Sequence, residues 1–400
     1  MSVIGDLDDF RSAARGRQSL RPVAEAYISN KPAQKTSKKT VSHATFTPAN
    51  KTTKAFSRAI LTETRVPVEE IAPMEQSALM SLVRRPLSPD ARIEVPATWE
   101  EYEYAQEHLA QDDNEGNKFP RLWYDGSSQL ATVVAAPTPL HLDMVGGLTG
   151  HLLRACDDVM RRGGIDETVR EGLALSADTT NCTDADDGHT VREWDGALSY
   201  VINGERTLMV AFEVGVSQTY KSLRAAISWC VCALHCRLGI AMHISEGVRG
   251  DRPAIQYYAT REDARAVVQR ARDNLRIQLH QNPLGPLEWN GLTLFGTLQT
   301  VTIETFRNED ACCAPDTLLE PAQSFVIVKE GRFSEQHVPP NLKDIVLGDC
   351  VPSHILSGSE MVATPVDFFQ RSWFESKIIA AILDTAVLRI SRKTKVARAH

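Results

Sequence analysis

The sequence predicts an α/β domain, a mixed central sheet flanked by helices, with a disordered N-terminal arm in front of it. Three observations carry that expectation. Residues 1 to 90 are rich in Ser, Thr, Lys, Ala and Pro, and residues 31–54 (KPAQKTSKKTVSHATFTPANKTTK) show no apolar period. Two strand-like runs, ALSYVI and TLMVAFEV, flank Asn203-Gly204, a pair suited to a tight hairpin, and the second run is apolar on both faces, as in a central strand. Residues 218–236 then place Leu223, Ile227, Cys230, Val231 and Leu234 at spacings of three and four, the mark of a helix, before GIAMHIS resumes as a strand.

The remaining elements follow in order. The domain is expected over residues 91–400, with order starting near Pro96. Thr98 and Glu101 make a capping box for the helix TWEEYEYAQEHLAQ. QLATVVAA alternates as a strand up to Pro137. Leu148, Leu152, Leu153, Cys156 and Val159 place a buried helix over residues 144–160, ended by Gly163 and Gly164, with a short helix over 166–175 and a polar loop, NCTDADDGHT. After the central unit come a strand at 255–259, a helix from Arg261 to His280 and a β-hairpin over 287–306. A C-terminal helical extension runs over 366–390 with Phe369, Trp373, Ile378, Ile382 and Val387 on one face.

Bulk properties limit the class. With 400 residues and 42% hydrophobic positions the chain can bury a full core. A net charge of −7 argues against a protein that coats nucleic acid, yet residues 11–60 hold eleven Lys or Arg against the single acid Glu25. That basic arm reads either as a solvated linker or as a nucleic-acid or nuclear-import tail. No apolar run is long enough for a membrane helix, and the acidic start MSVIGDLDDF is unlike a signal; the expectation is an intracellular protein, nuclear or cytoplasmic, with no membrane partner. The eight cysteines lack paired CxxC spacing and read as reduced thiols.

Chemistry is expected at Asp195 and Glu213. A hairpin with an acid at its start and another in an apolar strand can hold a hard divalent cation, which takes oxygen ligands, activates water and neutralises phosphate charge. Register sets a condition: a strict two-residue turn at Asn203-Gly204 pairs Asp195 with Phe212 and turns Glu213 to the opposite face. A shared metal therefore requires an odd-length loop or a bulge, and that irregularity is predicted.

At these residues the chain resembles the fungal branch of the restriction-endonuclease-like PD-(D/E)XK superfamily. The likeness lies in an Asp-bearing strand leading to FEVGVSQTYKSLRAAISW, and in YDGSSQLATVVAAPTPLHLDMVGGLTGHLL upstream; it covers residues 120–245. The resemblance implies a restriction-endonuclease-like core, Asp195 and Glu213 as metal ligands for Mg²⁺ or Mn²⁺, and hydrolysis of DNA or RNA phosphodiester bonds. The usual lysine position is Gly215, so Lys221 or Gln218 is expected near the attacking water, and Trp194 stands where a proline is usual. These departures leave an alternative, an inactive fold serving as an interaction or nucleic-acid-binding module; a third reading has the basic arms bind nucleic acid without chemistry.

Other candidates have plainer readings. His141 and Asp143 stand where the family places extra site residues, though Asp143 equally suits a helix N-cap. His235 with Cys232 and Cys236 lies in the apolar CVCALHC, where cysteines pack as small hydrophobes rather than bind zinc. Asp184, Asp186 and Asp187 read as a solvated loop, and Ser217 lacks a nucleophile elbow. Arg389, Arg392, Lys393, Lys395 and Arg398 read as a basic helix end, with phosphate contact as the functional option.

Overall fold

A computed structural model describes residues 74–112, 120–176, 180–185, 188–216, 218–247, 255–307, 314, 317–334, 344–356 and 360–396. Its elements run α1 (Ala78–Val83), β1 (Arg92–Pro96), α2 (Trp99–Asp112), β2 (Arg121–Asp125), β3 (Leu130–Val134), α3 (Pro139–Arg162), α4 (Glu167–Arg170), β4 (Leu173–Ser176), β5 (Thr180–Ala185) and β6 (Gly188–Glu193). They continue with β7 (Gly196–Ile202), β8 (Glu205–Val216), α5 (Tyr220–Cys232), β9 (Leu238–Glu246), β10 (Gln256–Tyr258), α6 (Arg261–Gln281), β11 (Leu287–Trp289), β12 (Leu292–Phe295) and β13 (Leu298–Phe306). The last are β14 (Gln323–Lys329), β15 (Arg332–Phe333), α7 (Leu347–Cys350), α8 (Arg371–Lys393) and β16 (Thr394–Val396).

A seven-stranded mixed sheet is the centre of the fold, in the order β15-β14-β13-β9-β8-β7-β4. β8 and β9 are parallel, as the α5 crossover requires, and the other pairs are antiparallel. One face carries Leu198, Val210, Phe212, Val214, Ile240 and Met242 into a core shared with α3, α6 and α8. The other face carries Ala197, Ala211 and Ala241, whose small side chains let α5 lie close with Leu223 and Ile227. A second, antiparallel sheet has the order β1-β3-β2-β6-β5 and packs α1 and α2 through Leu79, Met80, Tyr102, Tyr124 and Val133.

The expected hairpin forms as the sequence requires. Asn203 (φ +52°) and Gly204 (φ +80°) make a two-residue turn in the left-handed region between Ile202 and Glu205, which face each other. Gly204→Ala should destabilise the protein by about 1–2 kcal/mol, the cost of a Cβ in that region; an unchanged urea midpoint would count against a rigid turn.

Several expectations are corrected. Order begins before Pro96 and the arm ends short of residue 90, because Leu79 and Met80 are fully buried in the second core; residues 1–73 lie outside the described residues. NCTDADDGHT is largely the β5–β6 hairpin, whose polar strands are tolerated because β5 is the edge of its sheet. Its Asp184 lies on β5, while Asp186, Asp187, Ser217 and Arg398 lie outside the described residues. The short helix ends at Arg170 and gives way to β4. α3 starts five residues early: Pro139 opens it and the Thr138 hydroxyl accepts from the His141 amide, so Asp143 is not the N-cap.

Residues 287–306 are two units, a small β11–β12 hairpin turned at Asn290-Gly291 and a separate strand, β13, in the main sheet. α8 begins at Arg371; Val366, Phe368 and Phe369 instead enter the core as extended chain. Arg389 is no solvated end: it donates to Glu246 Oε1 and Oε2 at 2.7 and 2.8 Å, with both side chains largely buried. The CVCALHC residues are core: Cys230, Cys232 and Cys236 are buried while His235 is exposed with φ +53°, so they do not gather as a zinc site. Cys232 is disulfide-bonded, which corrects the reading of all cysteines as reduced.

Candidate active site

The predicted irregularity is a bulge in β8. Leu198 pairs with Val210 but Ser199 pairs with Leu208, so Met209 is the extra residue; the ladder then ends with Gly196 opposite Phe212, and Asp195, at the bend just before β7, lies next to Glu213 at the end of that ladder. One inserted residue turns Glu213 to the face that Asp195 occupies. Burial holds Glu213 there, since its side chain is 2% exposed. Asp195 Oδ2 accepts from the Val214 amide at 2.8 Å, tying the acid to its neighbouring strand.

Tertiary structure adds three groups around the pair. His141, in the first turn of α3, places Nε2 3.1 Å from Asp195 Oδ1. Arg92, the first residue of β1, reaches across from the second sheet with Nη2 3.6 Å from Asp195 Oδ1 and 3.5 Å from Glu213 Oε2. Its guanidinium lies 4.5 Å from the centre of the Trp123 ring. Asp90, with φ +58°, accepts from the Thr138 amide at 2.6 Å and lies 3.9 Å from His141 Nδ1. Asp195, Arg92, Asp90, His141 and Gln218 line one cavity with room for about 60 Å³ of solvent.

The cavity gathers buried polar atoms that lack partners. Asp90 Oδ2, Arg92 Nη1, Trp123 Nε1, Trp194 Nε1 and Gln218 Oε1 make no hydrogen bond, and all five residues line it. Leaving a buried polar atom unpaired costs about 1–3 kcal/mol, so such a concentration points to a ligand or water.

Electrostatics divides the two acids. Burial raises Asp195, but His141, the hydrogen bond to it and Arg92 outweigh this and hold its carboxyl at about 2. Burial and the neighbouring Asp195 charge push Glu213 up to about 8, against the opposing pull of Arg92. Burial disfavours the charged form of His141, yet Asp195 and Asp90 more than compensate and raise its pKa. Glu213 and His141 thus hold protons in the folded chain that an unfolded chain releases, whereas Asp195 holds its proton more weakly.

The signs give a pH prediction. Raised groups contribute stability below their unfolded values that is lost as pH rises through the folded ones; depressed Asp195 contributes above its unfolded value and loses it as pH falls towards 2. Without added metal the urea midpoint should fall from pH 5 to pH 8.5, and Glu213→Gln should flatten the fall. A midpoint equally steep in that variant would show that Glu213 is not the group responsible.

By chemical type the donors suit a small hard cation. Mg²⁺ commonly uses one or two carboxylates and retains several waters; Asp195 and Glu213 would supply the carboxylates and the orphaned Gln218 Oε1 a neutral oxygen. Arg92 now stands between the acids. Among the described residues no group of three or more His, Cys, Asp and Glu is placed to hold a metal ion.

Of the residues expected from sequence, Asp195, Gln218 and His141 line the cavity, while Glu213 does not line it and joins the group through Arg92. A Cβ at Gly215 would lie 3.1 Å from Leu223 Cδ2 and 3.4 Å from Gln218 Oε1, so the space beside that position is bounded chiefly by Leu223. Lys221 is exposed and lines a neighbouring cleft rather than this cavity, and Asp143 is not among the cavity-lining residues. Sequence reasoning missed Asp90, Arg92 and Trp123. Alternation in RIEV and RLWYD marks their strands, but no local signal brings those strands to the hairpin.

No described helix is long and apolar enough to cross a membrane. No family model matches this chain, and no curated protein matches it.

Proposed function

We propose that the protein is a divalent-metal phosphodiesterase of the restriction-endonuclease-like PD-(D/E)XK kind, acting on nucleic acid. The observation that supports it most is the β8 bulge, which turns Glu213 onto the face of Asp195 beside a polar cavity. Asp195 and Glu213 would hold Mg²⁺ or Mn²⁺, which when bound lowers the pKa of water and offsets charge on phosphate. Asp195 stays ionised because His141 and Arg92 face it. Glu213 would have to give up its proton to hold a cation, as deprotonated ligands are required. Gln218 Oε1, without a partner, is available to orient a water. Arg92 supplies the positive charge that position 215 lacks, in place of Lys221.

A second reading is favoured by the same arginine. Its guanidinium occupies the space between the carboxylates, so the charges are balanced without a metal, as in an inactive fold used for binding. Incubation of the protein with labelled single- and double-stranded DNA and RNA and Mn²⁺ separates the two. Scission that disappears in Glu213→Gln is the expected outcome; no scission of any substrate by folded wild type would leave the binding reading.

A further inference from the structure

A second cleft, with about 280 Å³ of room for solvent, adjoins the acid cavity and shares Arg92 and Trp123 with it. One wall is the start of α5, where Thr219, Lys221 and Ser222 line it; Arg192 stands on another wall. Thr219 caps this helix by accepting from the Ser222 amide, and the first N–H groups of a 13-residue helix have no acceptor within it, so the wall is electropositive. Arg92 is the independent sign of a ligand. Its side chain is 9% exposed, it lines the cleft, and its Nη1 is buried without a partner. Trp123 Nε1 is a second unpaired donor on the shared wall.

Two acids also line the cleft. Asp125 is engaged by Arg192 at 3.1 Å and by Ser127, while Glu94 is exposed to solvent. Lys221 is exposed and among the described residues has no ion pair, which leaves its ammonium for an incoming anion.

We infer that this cleft is a phosphate subsite for a nucleotide strand, holding the phosphodiester next to the one presented to Asp195 and Glu213. The anion meets the Lys221 ammonium, the α5 N-terminus and Arg92 Nη1 together. A strand, rather than a free nucleotide, is specified because Arg92 and Trp123 belong to both cavities, so adjacent phosphates can be held at once. The choice of a strand rests on the proposed phosphodiesterase reading; the anion site itself does not.

The test is fluorescence anisotropy of the full chain with a labelled single-stranded DNA oligonucleotide in EDTA, titrated with salt. Lys221→Ala should weaken binding about tenfold at low salt and reduce the slope of log K against log salt by about 0.7, one phosphate contact on a single strand. Lys329→Ala, which removes the same charge from an exposed lysine that lines neither cavity, should bind like wild type. Affinity and slope unchanged in Lys221→Ala would overturn the subsite. Displacement of the oligonucleotide by inorganic phosphate or AMP at equal phosphate concentration would overturn the assignment to a strand. The two readings fail separately: binding that depends on Lys221 with no scission removes only the phosphodiesterase, and scission with binding independent of Lys221 removes only the subsite.

Discussion

Glu213→Gln should remove metal-dependent cleavage while leaving the protein folded. The substitution keeps the shape of a side chain that is 2% exposed and takes away the one charge a cation would draw on there. Metal-ion catalysis is worth several kcal/mol at the transition state, so the loss should be about 10³-fold or more, each tenfold step being about 1.4 kcal/mol. Stability should hold or rise near pH 8, because the wild-type carboxyl, pushed up to about 8, is ionised only at a cost in this setting. Calorimetry supplies a reading separate from activity. Mn²⁺ binding to wild type should release a proton below pH 8, detectable as a heat that depends on buffer ionisation, and the variant should show none. Equal cleavage by the two proteins would mean that Glu213 is not a ligand.

Arg92→Ala should be the most destabilising single change at the site. The guanidinium faces buried Glu213 and partly buried Asp195 and lies 4.5 Å from the Trp123 ring centre, and removing one partner of a buried ion pair typically costs about 3–5 kcal/mol. Urea unfolding at pH 7 measures this directly. The Glu213 carboxyl, pushed up to about 8, is protonated at pH 7 and ionises above it, so the gap from wild type should widen from pH 7 to pH 9. Mn²⁺ should recover stability in Arg92→Ala, and more in this variant than in wild type, because the cation then occupies the space between the carboxylates without competition. A variant as stable as wild type would show that Arg92 is a solvated side chain. Destabilisation with no Mn²⁺ recovery would favour the inactive-fold reading, in which the arginine is the permanent counter-ion.

The two experiments bear on one physical point. Two carboxylates facing each other in a buried space need positive charge, and this chain supplies some of it from its own second sheet. Whether that charge yields to a cation decides between chemistry and binding, and the Mn²⁺ recovery of Arg92→Ala reads it without any substrate.

What the sequence determined by itself is local. Asn203-Gly204 set the hairpin because few other pairs accept two consecutive positive φ angles, Thr98 and Glu101 capped α2 reciprocally, and the spacing of Leu223 and Ile227 made α5. The parity of a two-residue turn even required the bulge, since Asp195 and Glu213 otherwise lie on opposite faces. Only the tertiary structure decided which residue is extra, because Met209 reads like any other apolar strand residue and its insertion follows from packing on both faces of β8. It also decided what surrounds the acids. Arg92 stands 121 residues before Glu213 and Asp90 just ahead of it, in a stretch whose composition reads as the end of a disordered arm. They arrive because β1 is stitched to β3 and Asp90 accepts from Thr138, pairings between distant segments that no periodicity encodes. Lys221 is the converse case: near Glu213 in sequence, it is carried by the turn of α5 into the neighbouring cleft.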